Sequence, residues 1–255
     1  MAHFRRIYAM LRRRLGLQLT SLGPTTLERA VQRRMRALRI EDWEEYAQHL
    51  KRHPAELDAL VEEVVVPETW FFRDQAYFDA LAELLLHPPF CSAAPLRVLS
   101  VPCATGEEAY SIAITLLSCG RTKNDFQVVG VDVSQHAVAR AEEALYGRRS
   151  FRGTDEEFQR SYFHAEGDLF RLVSRVRQTV SFRRGNVIDS LFMGGLGQFH
   201  VIFCKNLLIY LCGWARQRAV EQLHRLLTPE GRLFAGTAEI SLFLDHGFAA
   251  VSERY

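Results

Sequence analysis

Apolar residues recur with a helical period through the first 66 residues. Phe4, Ile7, Tyr8, Leu11 and Leu15 fall at i, i+3, i+4, i+7 and i+11, which predicts one amphipathic helix. Pro24-Thr25 predicts the start of a second, with Thr25-x-x-Glu28 as a capping box and Leu27, Val31, Met35 and Leu38 along one side. A third carries Trp43, Tyr46, Ala47 and Leu50, and Pro54 opens a fourth through Leu57, Leu60, Val61 and Val64. The stretch from Leu86-His87-Pro88-Pro89 to Pro95 cannot stay helical and marks the expected seam.

Beyond the seam the pattern changes to short apolar runs alternating with helical segments. Leu96–Val101, Gln127–Asp132, Val180–Arg183, His200–Cys204 and Arg232–Gly236 read as strands. Helical segments carry Ala109, Ile112, Ala113 and Leu116, then Ala137, Val138, Ala141 and Leu145 behind a Ser134 cap. Such alternation predicts a parallel, doubly wound α/β sheet. Residues 148–178 break the rhythm with charged, aromatic-bearing sequence, which reads as a small inserted subdomain. The expected organisation is a helical region with its linker helix over 1–86, and a Rossmann-like α/β domain over 87–255.

Composition removes several classes of function. At 255 residues the chain needs no disulfide or metal staple. No apolar run approaches 18 residues, so no membrane insertion is expected. Arg5, Arg6, Arg12, Arg13 and Arg14 interrupt any signal-peptide core. Five cysteines without a C-x-x-C pair argue for a reducing compartment and against a zinc knuckle, so a cytoplasmic protein without a metal is expected. Charge is uneven. Residues 1–52 hold twelve Lys and Arg against five acids, or +7, within a chain whose net charge is +2. The first segment therefore either meets an anionic partner or presents a solvated, Arg-rich face.

The chemistry concentrates at strand ends. Leu99 to Ala113 joins a strand to a helix through a tight turn, where Ala104 and Gly106 allow close backbone approach to a ligand. The G-x-G-x-x-G fingerprint is absent, and Glu107-Glu108 stand where a pyrophosphate would sit. NAD, FAD and ATP are poor candidates there, whereas a cationic ligand suits the turn. The alternative is that the two acids only complement the helix dipole. Asp132 ends the second strand at the spacing of an acid that accepts ribose hydroxyls, or else it caps the next helix. A ribose without a pyrophosphate, beside carboxylates, points to the sulfonium cofactor S-adenosylmethionine. Lys205 and Asn206 follow another strand at the carboxyl edge of the sheet, as ligand groups or as a plain strand-to-loop turn.

Five segments in order carry a more specific signal. Pro-Glu68-Thr69-Trp70-Phe71-Phe72-Arg73, Ala104-Thr-Gly-Glu-Glu-Ala-Tyr-Ser-Ile-Ala113 and Val131-Asp-Val-Ser134 are the first three. Cys204-Lys-Asn-Leu-Leu-Ile-Tyr210 and Leu227-Thr-Pro-Glu-Gly-Arg-Leu-Phe-Ala-Gly-Thr-Ala-Glu239 follow. Together they resemble the ordered motifs of CheR-type chemoreceptor glutamate O-methyltransferases, over nearly the whole chain. The resemblance implies methyl transfer from S-adenosylmethionine to receptor glutamates, leaving S-adenosylhomocysteine.

It also implies roles residue by residue. Thr69 and Arg73 reach the cofactor, as do Gly106, Glu107, Asp132, and the pair Asn186 and Val187. Asn206 lies beside the ligand, with Lys205 where Arg is common, and Tyr210 points toward the transferred methyl. Arg73 and Tyr210 are the expected catalytic groups, holding carboxylates in place, while Phe71 and Phe72 read as core packing. Arg29, Arg33 and Arg36, at i, i+4 and i+7, would present a positive stripe to an acidic receptor helix.

The expected partner is the cytoplasmic helical region of methyl-accepting receptors, bound by a monomer, with no nucleic acid. The last residues read as part of a closing strand. The competing readings are a methyltransferase for RNA or a small molecule, and a non-catalytic CheR-like binding module.

Overall fold

The computed structural model describes residues 2–18, 23–65, 67–93 and 95–251. The chain divides into two compact units. One comprises Met1–Val66 with Leu208–Ala219, the other Pro67–Leu207 with Val220–Tyr255. The division falls at Val66/Pro67, so the proline-bearing stretch expected to be the seam lies inside the second unit, as does helix Ala76–Leu84.

The first unit contains α1 (Ala2–Leu15), α2 (Pro24–Leu38), α3 (Trp43–Arg52) and α4 (Pro54–Val64). Their apolar stripes are buried as the periodicity requires: Ile7, Leu11, Leu27, Val31, Leu50, Leu60 and Val61 are inaccessible or nearly so. Asp42 caps α3 by accepting the Glu45 N–H at 2.9 Å. The capping box expected at Thr25 does not form. Gly23, at φ +74°, turns the chain so that Pro24 opens the helix, and no side chain caps it. One polar cluster lies within this core. Glu56 accepts two hydrogen bonds from Arg34, at 3.0 and 2.7 Å, and one from the Tyr46 hydroxyl at 2.9 Å. Burial and Glu56 together push the Tyr46 phenol far above its ordinary range.

The second unit is built on a parallel sheet of β1 (Leu96–Ser100), β2 (Phe126–Asp132), β6 (Val180–Arg184), β7 (Phe199–Cys204) and β8 (Leu227–Ala235), in the order β6-β2-β1-β7-β8. Its inner strands are continuous apolar runs, as strands covered on both faces must be. The chain winds outward from β1 through β2 to β6, then crosses back to place β7 on the other side of β1. That reversal makes the carboxyl ends of β1 and β7 a topological switch point, where such sheets bind ligands. The insertion is a three-stranded antiparallel sheet of β3 (Leu145–Tyr146), β4 (Phe163–Glu166) and β5 (Leu169–Leu172), in the order β3-β5-β4. It carries a 3₁₀ turn at Arg148–Phe151 and a helix at Glu156–Tyr162. Phe71 packs among Tyr146, Phe151 and Phe163, as core packing requires. The closing strand expected at the chain end falls largely on residues 252–255, outside the described residues.

Candidate functional site

Three loops of the second unit meet the switch point. The first follows β1 and enters helix Glu107–Ser118 through Gly106 at φ +95°. A Cβ there would stand 2.8 Å from that of Ala141, so glycine is required twice over, by conformation and by space. The second loop, after β7, turns at Asn206. The third is the segment 67–75 that precedes helix Ala76–Leu84. Phe72, Asp74, Ala104 and Asn206, all in these loops, hold left-handed φ values of 54, 61, 46 and 57°. Non-glycine residues in this region carry strain and cluster at ligand sites.

Asp132 is 4% exposed and receives the Ala104 N–H at 2.9 Å and the Ser134 N–H at 2.9 Å, one on each oxygen. Ser134, not Asp132, caps the following helix, by accepting the Ala137 N–H. The carboxylate is thus held beside the β1 loop. These two hydrogen bonds orient the carboxylate. Glu107 is 2% exposed; Thr105 donates to it at 2.6 Å and Ser150 at 2.8 Å. Desolvation raises its pKa, against the opposing pull of those two hydroxyls. The Thr69 hydroxyl and the Asn206 side-chain amide make no hydrogen bond among the described residues, which leaves both for a ligand. Asn186 bonds the Ile188 N–H through its side-chain oxygen at 3.2 Å, and Val187 is buried.

The structure places the other expected groups as follows. Lys205, expected at the cofactor edge, turns its ammonium inward. It pairs with Glu108 at 3.1 Å, donates to the Arg73 carbonyl at 3.3 Å and lies over the Tyr77 ring. A buried ammonium needs such partners, and they tie the third loop to the end of β7. Arg73 donates to the Glu68 carbonyl at 2.9 Å and stacks on Trp70, 4.5 Å from its centroid. Tyr210 belongs to the first unit, in the 3₁₀ turn Leu208–Tyr210, and is 39% exposed. Arg29, Arg33 and Arg36 are also in the first unit and exposed. Arg33 pairs with Glu63 at 2.6 Å and Arg36 bonds the Gln32 carbonyl, so the stripe is partly self-satisfied.

Sequence reasoning assigned no role to Glu239. It is 1% exposed and receives the N–H groups of Asn206 and Leu207 at 2.6 and 2.8 Å, which fixes the left-handed turn after β7. Its presence in the fifth motif was the available signal. Ser150 was missed as well, since its partner Glu107 is 43 residues away in sequence.

The buried charge of the second unit tests the cofactor expectation. Among its described residues the buried charged side chains are Glu107, Asp132, Glu239 and Lys205: three carboxylates and one ammonium, which is itself paired with Glu108. Such an excess of negative charge suits a cationic ligand and opposes a pyrophosphate. The residues present fit a sulfonium-bearing nucleoside.

The chain matches two family descriptions. Residues 2–65 match the CheR methyltransferase all-alpha domain, and residues 67–253 the CheR methyltransferase SAM binding domain. It is 42% identical over 248 residues to a probable biofilm formation methyltransferase, WspC, of Pseudomonas aeruginosa, which covers 96% of this chain and 59% of that protein. The WspC of Pseudomonas putida is 44% identical over 244 residues, covering 95% and 58%. The chemotaxis protein methyltransferase of Escherichia coli is 30% identical over 255 residues, covering 97% and 87%. This chain therefore spans 59% and 58% of the length of the two WspC relatives.

Proposed function

Because the chain belongs to the CheR methyltransferase family, we propose that it methylates glutamate side chains on the cytoplasmic helical region of receptor-type signalling proteins. The observation that supports this reading is the carboxylate-rich turn at the switch point, Glu107 and Asp132 beside Ala104–Gly106. Asp132 would accept from the ribose of S-adenosylmethionine, Thr69 and Asn206 would offer their unpartnered polar groups, and Glu107 would complement the ligand's positive charge. Asn186 and Val187 would flank the nucleoside, and Glu239 holds Asn206 in place. When bound, the cofactor supplies an electrophilic methyl group on a sulfonium.

What remains is work for the protein's own side chains. A glutamate carboxylate is already ionised at neutral pH, so no general base is needed. Alignment can supply up to about 7–11 kcal/mol of the barrier. Arg73 is the aligning group in this reading, a cation for a carboxylate, and the role of Tyr210 rests on the family resemblance alone. Charge is annihilated on reaction, so excluding water from the site favours it. Higher identity to the WspC proteins, named for biofilm formation, than to the chemotaxis protein of Escherichia coli (42–44% against 30%) supports a pathway of the former kind.

The test is incubation with methyl-labelled S-adenosylmethionine and a receptor cytoplasmic fragment. Base-labile label on the fragment is the expected result. Label that resists base, or appears on RNA instead, would overturn the assignment.

A further inference from the structure

The 3₁₀ turn Arg148–Phe151 is fastened to both motif loops of the second unit. Its Ser150 hydroxyl bonds Glu107 at 2.8 Å, and its Ser150 carbonyl receives the Phe71 N–H at 2.9 Å. Phe151 is buried and stacks on Phe71 with 5.5 Å between centroids. The turn and the residue that ends it carry three exposed guanidiniums, Arg148, Arg149 and Arg152. Arg148 and Arg149 have no hydrogen-bond or ion-pair partner among the described residues. Arg152 lies 3.7 Å from the centroid of Trp70, the ring on which Arg73 also stacks, and pairs with Glu68 at 3.0 Å. That pair is open to water, with 46% and 68% of the two side chains exposed, and such pairs contribute little. An incoming carboxylate can exchange with Glu68 at little cost.

We propose that Arg148, Arg149 and Arg152 form a docking ridge for the acidic residues that flank the target glutamate, with Glu68 holding the Arg152 position until substrate arrives. The inference rests on the receptor reading above and names the surface that selects the substrate. A fixed backbone presents the charges with little ordering cost, and guanidiniums match carboxylates two bonds at a time. An acidic protein segment fits better than nucleic acid. Asp155, Glu156 and Glu157 follow at once and are exposed, which ends the basic track after one short turn.

The experiment compares the wild type with R148E/R149E and with E68Q. For each, methylation is measured against receptor-fragment concentration, and S-adenosylhomocysteine affinity by calorimetry. The double reversal is expected to raise KM about tenfold at low salt and less at high salt, with cofactor affinity unchanged. E68Q is expected to lower KM about twofold by freeing Arg152, an effect that a purely structural Glu68 would not give. If the reversal loses cofactor binding, R148Q/R149Q carries the same prediction at smaller amplitude. An unchanged KM in the double variant overturns the ridge. If the wild type labels no receptor fragment, the functional reading falls, and the ridge is then read by binding of a fluorescent Glu-rich helical peptide. Peptide binding lost in R148E/R149E supports it, and equal binding overturns it. Wild-type preference for a single-stranded oligonucleotide, lost in the same variant, would overturn the acidic-protein assignment.

Discussion

Glu56 in the helical unit and Glu107 in the sheet unit are both buried, hydrogen-bonded carboxylates, yet they are balanced in opposite ways. Glu56 meets a bidentate guanidinium and a phenol, so its charge is cancelled where it sits. Glu107 accepts from two neutral hydroxyls, with a weaker pull from its own N–H and from Arg140, and burial still raises its pKa. The first arrangement binds α2, α3 and α4 through one polar cluster. The second keeps a carboxylate in low dielectric with no ion-pair partner among the described residues, which costs stability and leaves a field for a ligand to meet. A buried charge with its counter-ion reads as architecture, and one without reads as a site.

The contrast can be broken most forcefully at Arg34. Replacing it by Met leaves Glu56 buried beside Tyr46 without a cation. Urea unfolding should register a loss of about 3 kcal/mol, the lower end for a broken buried pair because Arg34 itself is partly exposed. S-adenosylhomocysteine affinity should not change. A loss near zero would remove the architectural reading of the cluster.

The next effect is at Asp132. Asp132→Ala should weaken S-adenosylhomocysteine binding by about 1.5–3 kcal/mol in calorimetry, the range for hydrogen bonds to a charged group. Unchanged affinity in a folded protein would take Asp132 out of the site.

Glu107 sharpens the comparison through pH. Its folded pKa is raised, so its contribution to stability is full below the ordinary glutamate range and is lost as pH rises through the raised value. Glu107→Gln should abolish that slope and be more stable than wild type at neutral pH, by about 1 kcal/mol, in thermal melts at several pH values. It should also narrow the preference for the cationic cofactor over its neutral product. A variant that melts lower at every pH would mean that Glu107 is architectural, like Glu56.

The smallest effect is expected on the helical unit's surface. Reversing Arg29, Arg33 and Arg36 to Glu should slow receptor methylation at low salt by less than reversing Arg148 and Arg149 does, because Arg33 and Arg36 already have partners. The difference should vanish in about 0.5 M salt as screening shortens. A larger effect than at the 3₁₀ turn would reverse the ranking of the two surfaces.

The sheet was legible because parallel strands must be apolar throughout, so Leu96–Ser100 and Phe199–Cys204 announced themselves. The β1 turn was legible because glycine and small residues followed by acids at a strand end leave few uses. The roles of Lys205 and Glu239 were not. Their partners, Glu108 and the N–H groups of Asn206 and Leu207, are brought to them only by the winding of the sheet. The capping box failed for a local reason: a left-handed glycine ahead of Pro24 starts the helix before Thr25 can cap it. Tyr210 was assigned by resemblance alone, and no pattern in the sequence placed it in the helical unit.

The stacking of two guanidiniums on Trp70 has an optical consequence. The indole ring senses the local field of both cations, and Arg152 is the one expected to exchange its partner. Trp43 and Trp214, the remaining indoles, belong to the other unit. With both of these changed to Phe, the emission wavelength of the single indole left would report occupancy of the ridge directly, without a label and without turnover.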